Sequence, residues 1–141
     1  MKRIISILLL FFAILLCSQQ TTTQKELLKR VENNHKLLSQ NPEEAFKEAE
    51  KIAKEAENSG AHEIELKAIT TQSVYYRNNS DFKNMMIIAK SLLKKAMTYN
   101  NPLYQSIARY HLFEVYSFND LYEKAFVELS EGLKLVEKFD S

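Results

Sequence analysis

The stretch Asn41–Gly60, NPEEAFKEAEKIAKEAENSG, carries its apolar residues at Ala45, Phe46, Ala49, Ile52, Ala53 and Ala56, and the same six positions return forty residues later and forty residues later again. The second set is Met85, Met86, Ala89, Leu92, Leu93 and Ala96; the third is Ala125, Phe126, Leu129, Gly132, Leu133 and Val136. Within each set the spacing of three and four puts all six on one face of a helix. A pattern repeated at a fixed offset means stacked copies of one unit, because a single copy cannot bury its apolar face alone. Only two glycines and two prolines occur, and no run alternates apolar with polar residues as a half-buried strand does, so the expected class is all-α.

Each unit contains a second amphipathic segment upstream of the stripe: roughly Gln24–Ser39, His62–Asn79 and Pro102–Phe118. Turns are expected at NSGA, before His62, and at NNP, before Leu103. The helix starts repeat as well. Asn41 is placed to cap, with Pro42 in the first turn and Glu44 reaching back. Ser80 or Asp81 opens the second unit, and Asp120 with Glu123 is expected to open the third. The units are therefore helix–turn–helix hairpins over about 24–60, 61–100 and 101–140. The first stripe is mostly alanine, which gives little area to bury but lets neighbouring helices approach closely. Tyr76, Phe82, Phe113, Tyr116 and Tyr122 are then expected to fill the gaps.

The third unit, ARYHLFEVYSFNDLYEKAFVELSEGLKLVEK, resembles a tetratricopeptide repeat (TPR), with Leu112 and Tyr116 on the first helix, Tyr122 at the turn, and Ala125, Leu129 and Gly132 on the second. The second unit keeps Tyr76, Phe82 and Ala89 and departs at Gln72 and Met85. The first keeps only its second helix, with Glu32, Asn33 and Lys36 at positions the family fills with apolar or small residues. The forty-residue spacing exceeds the family's 34, which implies longer helices. The resemblance covers about Gln24 to Phe139 and implies a right-handed α-α superhelix, or solenoid, of three repeats. It also implies a ligand groove lined by the first helices. Carried over position by position, the partner-binding candidates are Lys67, Thr70, Val74 and Arg77 in the second unit and Ile107, Tyr110, Glu114 and Ser117 in the third, with Arg30 and Asn34 in the first. The basic clamp by which some members hold a C-terminal carboxylate is only half present, since Ile107 and His111 occupy two of its positions.

The first eighteen residues differ from all this. Lys2 and Arg3 precede the apolar run IISILLLFFAILL, Ile4–Leu16, and then CSQQ. This is the layout of a secretory signal peptide, residues 1–18, and the run is short of the ~20 residues that span a bilayer. The mature chain, from near Gln19, is expected to be exported and periplasmic or secreted. The alternatives are anchoring through an uncleaved N-terminus or through lipidated Cys17, although Leu16 stands where such sites carry a small residue. Cys17 is the only cysteine, so cleavage would remove every thiol.

Without Lys2 and Arg3 the chain has 17 basic and 18 acidic side chains, alternating in sign along the helices. No basic block marks a nucleic-acid partner. His35, His62 and His111 fall in three different units, and HEIE lacks the second histidine of a metalloprotease helix. No glycine-rich phosphate loop and no nucleophile–base arrangement is present, so no catalysis, metal or cofactor is expected. NNS at Asn78 is a weak glycosylation match, and Met85–Ile88 carries more apolar bulk than one stripe needs. Two functions compete. One is an exported scaffold holding a protein or peptide segment in its groove. The other is the sensor part, truncated or stand-alone, of a bacterial membrane-associated signalling or transcription regulator. Leu135, Val136 and Phe139 near the end of the third stripe suggest a further contact, most simply a homodimer through the C-terminal helix.

Overall fold

A computed structural model describes residues 23–137. Within them all regular structure is helical: α1 (23–40), α2 (Pro42–Ser59), α3 (His62–Asn78), α4 (Phe82–Thr98), α5 (Pro102–Phe118) and α6 (Tyr122–Glu137). The expected signal peptide, Cys17 and Phe139 lie outside the described residues. The helix starts keep the sequence period, since Pro42, Phe82 and Tyr122 are forty apart and so are His62 and Pro102. Among the described residues no helix is long and apolar enough to cross a membrane.

Four of the five turns are built alike. Gly60, Ser80, Asn100 and Asp120, twenty apart, have φ of 69°, 57°, 51° and 58°. In each turn the next residue's N–H reaches back to the helix, from Ala61, Asp81, Asn101 and Leu121 to the carbonyls of Ala56, Tyr76, Ala96 and Tyr116, all at 2.9 Å. The left-handed residue itself donates to the carbonyl three positions back, as from Gly60 to Glu57 at 3.2 Å. This is the Schellman closure. Glycine enters it freely; Asn100 and Asp120 tolerate it, and Ser80 is the least suited of the four. Asn41 and Asp81 cap as expected, and Asn101 caps α5 in the same way, each accepting from the backbone N–H three residues on. Asp120 does not. It closes α5 in the left-handed conformation, and the first bond of α6 is accepted by Leu121 from Ala125 at 3.0 Å. The fifth turn, between α1 and α2, is a single residue. Asn41 still donates to Leu37 at 2.7 Å, and Pro42 then prevents the helix from continuing.

Each helix from α2 onward packs against its neighbours in the chain, and α3 also touches α5. The alanines sit where clearance is needed. Ala45, Ala49 and Ala56 on α2 and Ala89 and Ala96 on α4 are fully buried beside Ile52, Met85 and Leu92. One cluster joins Leu27 and Val31 of α1, Ile52, Ala53 and Ala56 of α2, and Ala61, Ile64 and Ala68 at the start of α3. The next joins Leu66 and Ile69 of α3, Leu92, Leu93 and Ala96 of α4, and Tyr104, Ile107 and Ala108 of α5. At about 25 cal/mol per Å² of apolar area, such clusters supply most of the drive to stack.

The aromatic residues do part of what the sequence suggests. Phe46 packs on Tyr75 and Tyr76 with ring centres 4.6 and 5.2 Å away, and Phe82 stacks on Phe118 at 3.7 Å. Tyr122 fills no gap: it is 65 % exposed, and its hydroxyl donates to Asp120 at 2.6 Å. Ile87, in the extra apolar run, is also exposed.

Two polar arrangements pin helices together. Asn34 of α1 is buried and donates to the carbonyl of Ala45 at 2.9 Å, while Arg30 pairs with Glu48 at 2.8 Å and with Glu55. Farther along, Glu65 of α3 is buried, and its two oxygens meet Lys95 Nζ of α4 at 2.6 Å and the Tyr99 hydroxyl at 2.9 Å. Lys95 also reaches Glu57 of α2 at 2.6 Å, and His62 stacks on Tyr99 at 3.8 Å. One lysine thus ties three helices.

Candidate functional site

The first helix of each unit contributes to one cavity of about 230 Å³. Its walls are Val31, His35 and Leu38 of α1, Lys67, Thr70, Thr71 and Val74 of α3, and Tyr104 and Ile107 of α5. The helical period explains the α3 contribution: Lys67, Thr70 or Thr71, and Val74 are one turn apart and lie on a single face. The Thr70 hydroxyl donates to the Leu66 carbonyl at 2.9 Å and that of Thr71 to the Lys67 carbonyl at 3.3 Å, leaving both oxygens free to accept. Valine, leucine and isoleucine, with His35 and Tyr104, supply the rest of the wall, and Lys67 its ammonium. A pocket of this make-up suits an apolar side chain carried next to a carboxylate or a peptide carbonyl.

Of the residues named from sequence, Lys67, Thr70, Val74 and Ile107 come together here. Arg77 and Glu114 form a separate pair across α3 and α5 at 3.7 Å, and one Glu114 oxygen is buried without a hydrogen bond. Tyr110 is about half exposed and faces a different cavity, between α5 and α6, with its ring 6.0 Å from Phe113. Ser117 is partly buried at the C-terminal end of α5, where its carbonyl accepts from Asp120 at 3.2 Å. Arg30 and Asn34 are turned instead to α2, held by Glu48, Glu55 and the Ala45 carbonyl. Val31, His35, Leu38, Thr71 and Tyr104 were not among the groove candidates. For Val31, His35 and Leu38 the signal was the same helical period, applied to α1 in the correct register.

His111 is a titratable group strongly changed by its surroundings. It is 3 % exposed, its Nδ1 has no hydrogen-bond partner, and its pKa is pushed down to about 4, first by burial and then by the charge of Arg77. Nearby, Arg109 pairs with Glu128 of α6 at 2.7 Å with both side chains mostly buried. Among the described residues no group of histidine and acidic side chains is placed to hold a metal ion.

No protein-family model, curated protein or solved structure matches the chain.

Proposed function

We propose that the chain is an exported TPR-like scaffold, a right-handed superhelix of three helical hairpins that binds a protein or peptide segment along the concave side formed by α1, α3 and α5. The observation that supports this most is the shared cavity, to which one helix of every unit contributes and whose walls are apolar with accepting hydroxyls and a single lysine. Such a surface offers shape, apolar area and orientation, which is what recognition of a segment needs. Export is inferred from residues 1–18.

Capture from the native cell envelope tests the binding. Immobilised mature chain should retain a discrete protein, and Val74→Asp should reduce the retained amount by roughly tenfold or more, as expected for a charge placed in the centre of a dry contact. Lys51→Ala, on the exposed side of α2, should leave capture unchanged. Equal capture by wild type and Val74→Asp would reject the concave surface.

A further inference from the structure

Among the described residues, every partly buried lysine or arginine but one is paired with an acid on another helix. Arg30 meets Glu48 and Glu55, Arg77 meets Glu114, Lys95 meets Glu57 and Glu65, and Arg109 meets Glu128. Lys67 is the exception. It is partly buried too, it stands on the wall of the concave cavity, and no acidic side chain among the described residues pairs with it. None of the residues lining that cavity is acidic. On its other side Lys67 borders a wider pocket with Lys25, His62 and Glu63, and Glu63, one turn earlier on α3, makes no ion pair with it.

An unpaired ammonium beside apolar walls attracts an incoming carboxylate more strongly than one in water, because its surroundings screen it less and no internal partner has to be displaced. The neutral groups narrow the ligand further. Thr70 and Thr71 give their protons to the Leu66 and Lys67 carbonyls, so their oxygens call for a donor, and a backbone N–H supplies one. A simple alkanoate has no such donor. Val31, Leu38, Val74 and Ile107 leave room for a branched aliphatic side chain within about 230 Å³. Open surface also continues past Lys67 into the second pocket, so a segment lying there runs on beyond the ammonium instead of ending at it.

We infer, on the reading that a segment lies along this concave side, that the segment carries an aspartate or glutamate next to a leucine, isoleucine or valine. The aliphatic side chain enters the cavity, the acidic side chain meets Lys67 Nζ, and the backbone N–H between them donates to a threonine hydroxyl. Lys67 thereby sets the charge preference of the groove, while the aliphatic walls supply the apolar contact. Its side chain makes no ion pair among the described residues, so substituting it tests binding apart from stability.

The probes are N-acetyl-leucyl-glutamyl amide, its glutaminyl counterpart and N-acetyl-leucine, each titrated at millimolar concentration into the isotopically labelled mature chain. The glutamyl probe should shift the amides of Lys67, Thr70 and Val74 in a saturable way, and the glutaminyl probe should bind roughly tenfold more weakly. Lys67→Met should bring the two together, and Lys67→Glu should make N-acetyl-leucyl-lysyl amide the preferred probe. Lys90→Met, on the exposed side of α4, should change nothing. Equal binding of the glutamyl and glutaminyl probes would overturn the acidic preference while leaving the concave surface as the binding face, and so would a preference that survives Lys67→Met. Tighter binding of N-acetyl-leucine would give Lys67 to a terminal carboxylate and overturn the side-chain assignment. Binding by none of the probes would overturn the inference altogether, whereas the concave surface itself stands or falls with capture by Val74→Asp.

Discussion

Lys95→Met is expected to cost about 3 kcal/mol of unfolding free energy, the lower end of what removing one partner of a buried ion pair costs. The reason is Glu65. It is 1 % exposed, and without the ammonium its carboxylate keeps only the Tyr99 hydroxyl. The lower end applies because Lys95 is itself a quarter exposed, so some water reaches the site. The bond to the exposed Glu57 adds nothing to the figure. Urea unfolding measures the loss, and the double variant Lys95→Met with Glu65→Leu should recover most of it, since an apolar pair leaves no stranded charge. Lys95 also predicts alkaline behaviour. Burial alone would lower its pKa, but the hydrogen bonds to Glu57 and Glu65 raise it above the ordinary lysine value. Its contribution is therefore complete at neutral pH and is lost only in strong alkali.

Mild acid should act through His111. In the folded chain the ring stays neutral down to about pH 4, whereas in the unfolded chain it takes up a proton below its ordinary 6.5. The unfolded state then binds more protons, so stability falls as pH drops through this window and does not depend on His111 above it. Between pH 7 and pH 5 the loss is about 2 kcal/mol, at 1.36 kcal/mol per pKa unit. His111→Leu should remove that dependence while the carboxylates are still ionised. The check is the urea midpoint at the two pH values. A midpoint that shifts equally in wild type and His111→Leu would mean that the ring is not held neutral.

The period and the helix starts were legible because they depend on local pattern: proline, capping asparagine and apolar spacing act within a turn or two of themselves. Asp120 was misread because asparagine and aspartate both cap helices and tolerate the left-handed conformation, and one polar residue before a helix does not reveal which task it performs. The ion network was invisible for another reason. Glu65 in HEIE looks like any solvated acid, and it becomes a core residue only when the turn at Ser80 folds α4 back along α3 and brings Lys95 and Tyr99 to it. In α1, Arg30 and Asn34 were placed by register with a motif that this helix barely carries, and their partners on α2 are non-local. On α3, Lys67, Thr70 and Val74 share one cavity wall because that helix keeps both the period and the register, while Arg77 pairs with Glu114 instead.

The surface formed by α1, α3 and α5 can be tested directly by nuclear magnetic resonance. The segment recovered by capture is titrated into the isotopically labelled mature chain, and the backbone amides are followed. Shift changes should concentrate at Val31, His35, Lys67, Thr70, Val74, Tyr104 and Ile107, the residues around the shared cavity. Changes confined to the outward faces of α2 and α4, around Lys51 and Ile87, with those seven unmoved, would contradict the account.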